Sequence, residues 1–163
     1  MIFTISYGVR FSGARSAQLL QHFRHVGERR PVAQGAGLVS TLGDTVKFIQ
    51  SFLPGGPTLL KSETIELMFR NQLAAGLCVQ FPNMPRFESK GFGLGSSVST
   101  GASAWEPAEV VGEVGWAGLA GTIWWINPRI GIAGVLMTQR YLGFGNPYSL
   151  VFKAQAYKAL GFR

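Results

Sequence analysis

Apolar residues recur at helical spacing over residues 41–53, where Leu42, Val46, Ile49 and Leu53 fall on one face. Thr41 and Asp44 stand three apart at the start of that pattern. This capping-box spacing puts a hydroxyl over free helix N–H groups and a carboxylate near the positive end of the helix dipole. Pro54-Gly55-Gly56-Pro57 then stops the helix. A second helix is expected with Ser62 as its cap, Glu63 and Glu66 in its first turns, and Ile65, Met68 and Phe69 as its apolar face. Beyond residue 90 the pattern shortens to strands, expected at about 91–99, 110–118, 121–127 and 130–139. The last is apolar enough to be buried on both faces, and Asn127-Pro128-Arg129 supplies the turn before it. Asn146 and Pro147 are a good cap and first helical residue for a final helix to about Leu160, with Lys153 and Lys158 suited to its negative end. A short helix over 14–26, carrying Leu19, Phe23 and Val26, precedes a linker at 31–37; residues 74–90 read as irregular, without evident chemistry. Helices, then a meander, then a returning helix predict an α+β fold: an antiparallel sheet flanked by helices.

The strand pair around residue 118 is unusual. Gly112, Gly115, Gly118 and Gly121 fall within ten residues, ahead of the aromatic and β-branched run Thr122-Ile123-Trp124-Trp125-Ile126. Glycine weakens a strand and is kept where a backbone or a ligand comes close. Trp116-Ala117-Gly118 is therefore read as the wall of a cleft, beside the alternative of a bulge or bend with no ligand.

Gly112-Glu-Val-Gly-Trp-Ala-Gly-Leu-Ala-Gly-Thr122, Trp124-Trp-Ile-Asn-Pro128 and Gly131-Ile-Ala-Gly-Val-Leu-Met-Thr-Gln139 resemble the C-terminal part of the serine β-lactamase-like hydrolases, in the branch of class C β-lactamases and related esterases. Gly35-Ala-Gly-Leu-Val-Ser-Thr-Leu-Gly-Asp44 is similar to that family's glycine-rich lead into a helix, and Gly91-Phe-Gly-Leu-Gly95 to its first C-terminal strand. The pieces occur in the family's order. The resemblance implies the C-terminal part of the β-lactamase/transpeptidase-like fold, in a partial domain over 35–163 preceded by a basic, poorly matching segment over 1–34.

It also implies chemistry. The family uses a nucleophilic serine with a lysine one helical turn later, so that the amine helps deprotonate the hydroxyl. No serine of this chain has lysine three residues on, and no tyrosine has asparagine two residues on, which is the family's second motif. Trp116-Ala117-Gly118 matches the Trp-x-Gly variant of its third element. By this resemblance Trp116, Ala117 and Gly118 bind substrate, and the Leu119 N–H forms half of an oxyanion hole, typically worth about 2.7–4 kcal/mol. Trp116 stands where many relatives carry a cation, which favours neutral esters. The catalytic nucleophile is expected upstream of what this chain holds. The chain is then the C-terminal third to half of a hydrolase of esters, amides or β-lactams that works through an acyl-enzyme, inactive alone. The alternative is a non-enzymatic binding or regulatory fragment. A half-sheet of this kind is expected to self-associate through an exposed strand edge.

Composition narrows the rest. The length suits one domain, and 47% apolar residues suffice for a core. No apolar run approaches a membrane span, and residues 1–5 lack the basic start of a signal peptide, so location is left open between cytoplasm and periplasm. Residues 1–30 hold five arginines against one glutamate, or +4 of the chain's +7. Such an arm suits an anionic surface, but no nucleic-acid motif accompanies it, and it is expected to be solvated and partly disordered. Single Cys78 is expected as a small buried residue, and His22 and His25 lack further ligands, so neither metal nor cofactor is expected.

Overall fold

The computed structural model describes residues 2–6 (backbone only), 40–82, 84–103, 106–118, 121–138, 140 and 147–162. The helix expected at 14–26, His22 and His25, and Leu119 lie outside these residues.

Thr41 caps the first helix, α1 (Leu42–Gln50), as its spacing predicts. The Asp44 N–H donates to Thr41 Oγ1 at 3.1 Å, and the Thr41 hydroxyl donates back to the Asp44 carboxylate at 2.8 Å. The next helix, α2 (Ser62–Phe69), departs from expectation in its cap: Lys61 occupies that position, in extended backbone, with no side-chain cap bond. Ser62 is the first helical residue instead. Ile65, Met68 and Phe69 pack inward as expected.

The sheet has six strands: β1 (Ile2–Ser6), β2 (Lys90–Phe92), β3 (Ser97–Ser99), β4 (Val114–Ala117), β5 (Ile123–Asn127) and β6 (Ile132–Met137). Their order is β1-β6-β5-β4-β3-β2. The β2–β6 strands form an antiparallel meander, and β1 lies parallel to β6, with Ile2 opposite Ala133 and Ser6 opposite Met137. Thus Ile2–Ser6 belongs to the sheet rather than to a solvated arm; its Ile-Phe-Thr-Ile run suits a pleated surface.

Two strand expectations are corrected. The strand expected at 91–99 is a hairpin, broken where the Gly93 N–H donates to the Ser96 carbonyl at 2.8 Å and Gly95 takes φ +97°. Glycine alone adopts that φ without strain. The strand expected from 110 begins at Val114, because Ala108–Val110 forms a 3₁₀ turn and Gly112 takes φ +86°.

The third helix, α3 (Pro147–Ala159), closes the opposite face of the sheet. On one face, α1 and α2 pack over Val98, Val114, Ile126, Ala133 and Val135. On the other, Phe152, Ala156 and Tyr157 of α3 cover Trp125, Ile132 and Leu136. Alternate residues of β6 thus enter two cores, as its unbroken apolar run predicts. Of these, Ile132, Val135 and Leu136 each contribute about 1.5–3 kcal/mol on burial.

Candidate active site

The β4–β5 hairpin positions Trp116-Ala117-Gly118. Trp116 lies opposite Trp124 and Ala117 opposite Ile123, and the Gly118 N–H donates to the Thr122 carbonyl at 2.8 Å. The Gly121 N–H closes the turn onto Gly118 at 2.9 Å.

Antiparallel pairing alternates the direction of backbone polar groups. Since Gly118 and Trp116 face β5, the N–H and C=O of Ala117 face the opposite side. There β3 has already ended: it pairs with β4 only at Gly115 and Val114. The Ser97 hydroxyl donates to the Gly115 carbonyl at 2.7 Å and caps that end. Trp116–Gly118 therefore presents an edge with no strand alongside it among the described residues. The sheet's outer edge at β2 is different. Gln72 and Val79 donate backbone N–H groups to Phe92 and Lys90 at 2.8 Å, and the Phe92 N–H donates to Asn71 Oδ1 at 3.0 Å.

Aromatic rings flank the open edge. The half-buried Trp116 ring meets Phe92 of β2 edge-on at 5.1 Å and Phe81 at 5.9 Å, and Phe81 meets Phe87 at 6.1 Å. The irregular stretch 74–90, without chemistry in its sequence, thus brings a ring to the edge strand. No spacing signal could have announced this, since Phe81 and Trp116 are joined only through the sheet.

The glycines answer to the hairpin. A Cβ on Gly115 would lie 2.5 Å from the Trp124 carbonyl oxygen, and one on Gly118 would lie 2.9 Å from Thr122 Oγ1. Gly112 and Gly121 have positive φ, +86° and +85°. Close strand approach and turn geometry account for all four, so the openness of this site is a property of the backbone edge and not of the glycine pattern.

A serine–lysine contact does occur, by register rather than by helical spacing. Lys90 pairs with Ser99 across β2–β3 and donates to Ser99 Oγ at 2.6 Å. It is not a nucleophile–base pair. Ser99 is buried, and the Lys90 ammonium is also ion-paired with Glu106 at 2.8 Å, so it has no lone pair for the serine's proton.

This contact opens a buried network. Lys153 of α3 is ion-paired with both Glu106 and Glu113. Tyr157 donates its hydroxyl to Glu113 at 2.6 Å, and Asn127 Nδ2 donates to Tyr157 at 2.9 Å and to the Glu109 carbonyl at 2.7 Å. Lys153 therefore does not serve the solvent-facing end of a helix dipole. The available signal was that residues 149, 152, 153, 156 and 157 make one buried stripe, so Lys153 falls within it. Burial raises the Glu113 pKa, and its bonds to Lys153 and Tyr157 offset only part of that. Burial acts the same way on Glu106, but Lys153 and Lys90 together bring it below the ordinary carboxylate value. For Lys153, burial favours the neutral amine, yet the Glu113 and Glu106 charges outweigh it and raise the pKa.

Other places offer less. A crevice of about 100 Å³ between α1 and β5, lined by Phe48, Ile49, Phe52 and Trp124, is well below the usual size of a ligand pocket. Cys78 is half-buried rather than a core residue. Among the described residues no cluster of three His, Cys, Asp or Glu groups forms, and no helix is long and apolar enough to cross a membrane.

The β-lactamase family model matches residues 7–156. The acyltransferase calJ of Penicillium decumbens is 30% identical over 125 residues, which cover 69% of this chain and 29% of that protein. The solved structure of EstCE1, a hydrolase with promiscuous acyltransferase activity, superposes with a TM-score of 0.64 at 25% identity, covering 77% of this chain and 33% of that one. The chain spans about a third of the length of both relatives.

Proposed function

The chain belongs to the β-lactamase family, and from that premise we infer that it supplies the substrate-aligning strand edge of a serine hydrolase or acyltransferase. One observation carries this reading: Trp116–Gly118 runs past the end of β3 and leaves its backbone edge open beside a group of aromatic rings. A carbonyl substrate lying along that edge accepts from the strand backbone while its apolar part rests on Trp116 and Phe81. In the proposed reaction a serine oxygen bonds to the carbonyl carbon, and the alcohol or amine leaves with a proton. Water or a second alcohol then releases the acyl group. Leu119 would give one oxyanion-hole donor and the nucleophile's own N–H the other.

The nucleophile belongs to a Ser-x-x-Lys segment that is not in this sequence, so the chain alone is expected to be inactive. The relatives' acyltransferase activity supports an alcohol as well as water as acyl acceptor. The ring at Trp116 suits a neutral ester better than an anionic β-lactam.

A chimera tests this, with residues 40–163 grafted in place of the corresponding part of EstCE1. The expected result is hydrolysis of a short-chain aryl ester by the chimera and none by the chain alone. In the chimera, Trp116→Ala should lower ester turnover by about tenfold or more while shifting the melting temperature only slightly. A folded chimera without turnover would instead favour a binding or regulatory fragment.

The open edge, with exposed Phe48, Leu59, Leu67 and Leu77, is also proposed to draw two copies together. Light scattering after size exclusion should show a mass above 17.6 kDa, persisting at moderate salt. A monodisperse monomer that binds no apolar dye would rule this out.

A further inference from the structure

We propose that the partly buried chain of alternating charges Lys90–Glu106–Lys153–Glu113 is the positioning device of the β4 edge, holding the β2–β3 hairpin, and with it Phe92, in place against Trp116.

Val98 packs in the core and loop residues bond the outer edge of β2, but the hairpin's pairing with β4 is short. It meets β4 at two residue pairs, Ser97 with Gly115 and Val98 with Val114. Two further backbone bonds extend the ladder, Ser99 N–H to the Glu113 carbonyl and Gly112 N–H to the Ser99 carbonyl, both 2.8 Å. Ribbons this short are marginal without added packing. The charges sit where that ladder ends. Lys90 is the first residue of β2 and Phe92 the last, so a restraint on one constrains the other. Glu113 immediately precedes β4. Lys153 joins Glu113 to Glu106, Glu106 joins Lys153 to Lys90, and Lys90 reaches Ser99 of β3. Lys153 lies on α3, which Phe152, Ala156 and Tyr157 anchor under β5 and β6. The hairpin is thus held through the helix to the stable part of the sheet. Two lysines and two glutamates balance in charge, and every oxygen of the two carboxylates has a partner, which is the condition for such ions to hold a geometry.

The purpose of this device rests on the reading of β4 as the substrate-aligning strand, but its geometry does not. Its test is therefore made on the hairpin itself, and failure of the chimera leaves the result standing. Hydrogen–deuterium exchange is measured on the full chain and on Lys90→Met and Lys90→Arg. Lys90→Met keeps the Glu106–Lys153 pair and removes the link from Glu106 to the hairpin, together with the Lys90–Ser99 bond inside it. Amides of residues 91–99 and 113–117 should exchange about tenfold faster in Lys90→Met, with those of β5 and β6 unchanged and with protection restored in Lys90→Arg. A uniform acceleration that includes β5 and β6, or unaltered exchange in the hairpin, would overturn the proposal. If Lys90→Met does not fold, Glu106→Gln, which weakens the same link from its other end and leaves the Lys153–Glu113 pair, is judged by the same local criterion.

Discussion

Lys153→Met is expected to destabilise the chain by about 3–5 kcal/mol, read from urea unfolding at neutral pH. The lysine is buried, and its removal leaves the Glu113 carboxylate without a cation and Glu106 with Lys90 alone. Burying an unpaired charge costs far more than forming the pair contributes. The pH dependence identifies the cause. In the wild type the Lys153 pKa is raised, so its contribution is complete below about 10.5 and is lost as pH climbs through the folded value. The Glu106 pKa is lowered, so its contribution is present above about 4.5 and is lost as pH falls through the folded value. Glu113 has the opposite sign: its pKa is raised, and its ionised form burdens the fold above about 4.5. Without Lys153 that burden grows. The variant should therefore gain more stability than the wild type as pH falls from 7 towards 5. A deficit that stays constant over this range would mean that lost packing, not charge, is responsible.

Gly134→Val is expected to cost about 3 kcal/mol, near the upper end of overpacking effects. A Cβ on Gly134 would lie 2.1 Å from the Trp125 ring, which is 2% exposed and held on its other side by Phe152 at 5.2 Å. The indole cannot retreat, because α3 closes that face. The cycle with Trp125→Leu tests this directly: the smaller side chain should absorb the valine, so the double variant loses less than the two single losses together. Simple additivity would show that Gly134 is held for backbone reasons. Together the two substitutions probe an ionic contact and a packing contact on the face of the sheet that α3 covers.

The sequence by itself determined the local elements and the family. Thr41 and Asp44 marked the start of α1, Pro147 that of α3, and the run before Asn127 the second arm of the β4–β5 hairpin. These signals are legible because caps, turns and side-chain periods act over a few residues. The glycine-bearing Trp116 motif was legible as family likeness, although its glycines proved to serve the hairpin. Tertiary structure alone decided the rest. The break of 91–99 into two strands depends on a turn that only partner strands select. The parallel pairing of β1 with β6 joins residues more than a hundred positions apart. Lys90, Glu106, Glu113 and Lys153 are unremarkable charges along the chain. They become one network because register and helix packing bring them together, with Glu113 and Lys153 buried and Lys90 and Glu106 partly so, and there each charge needs its partner.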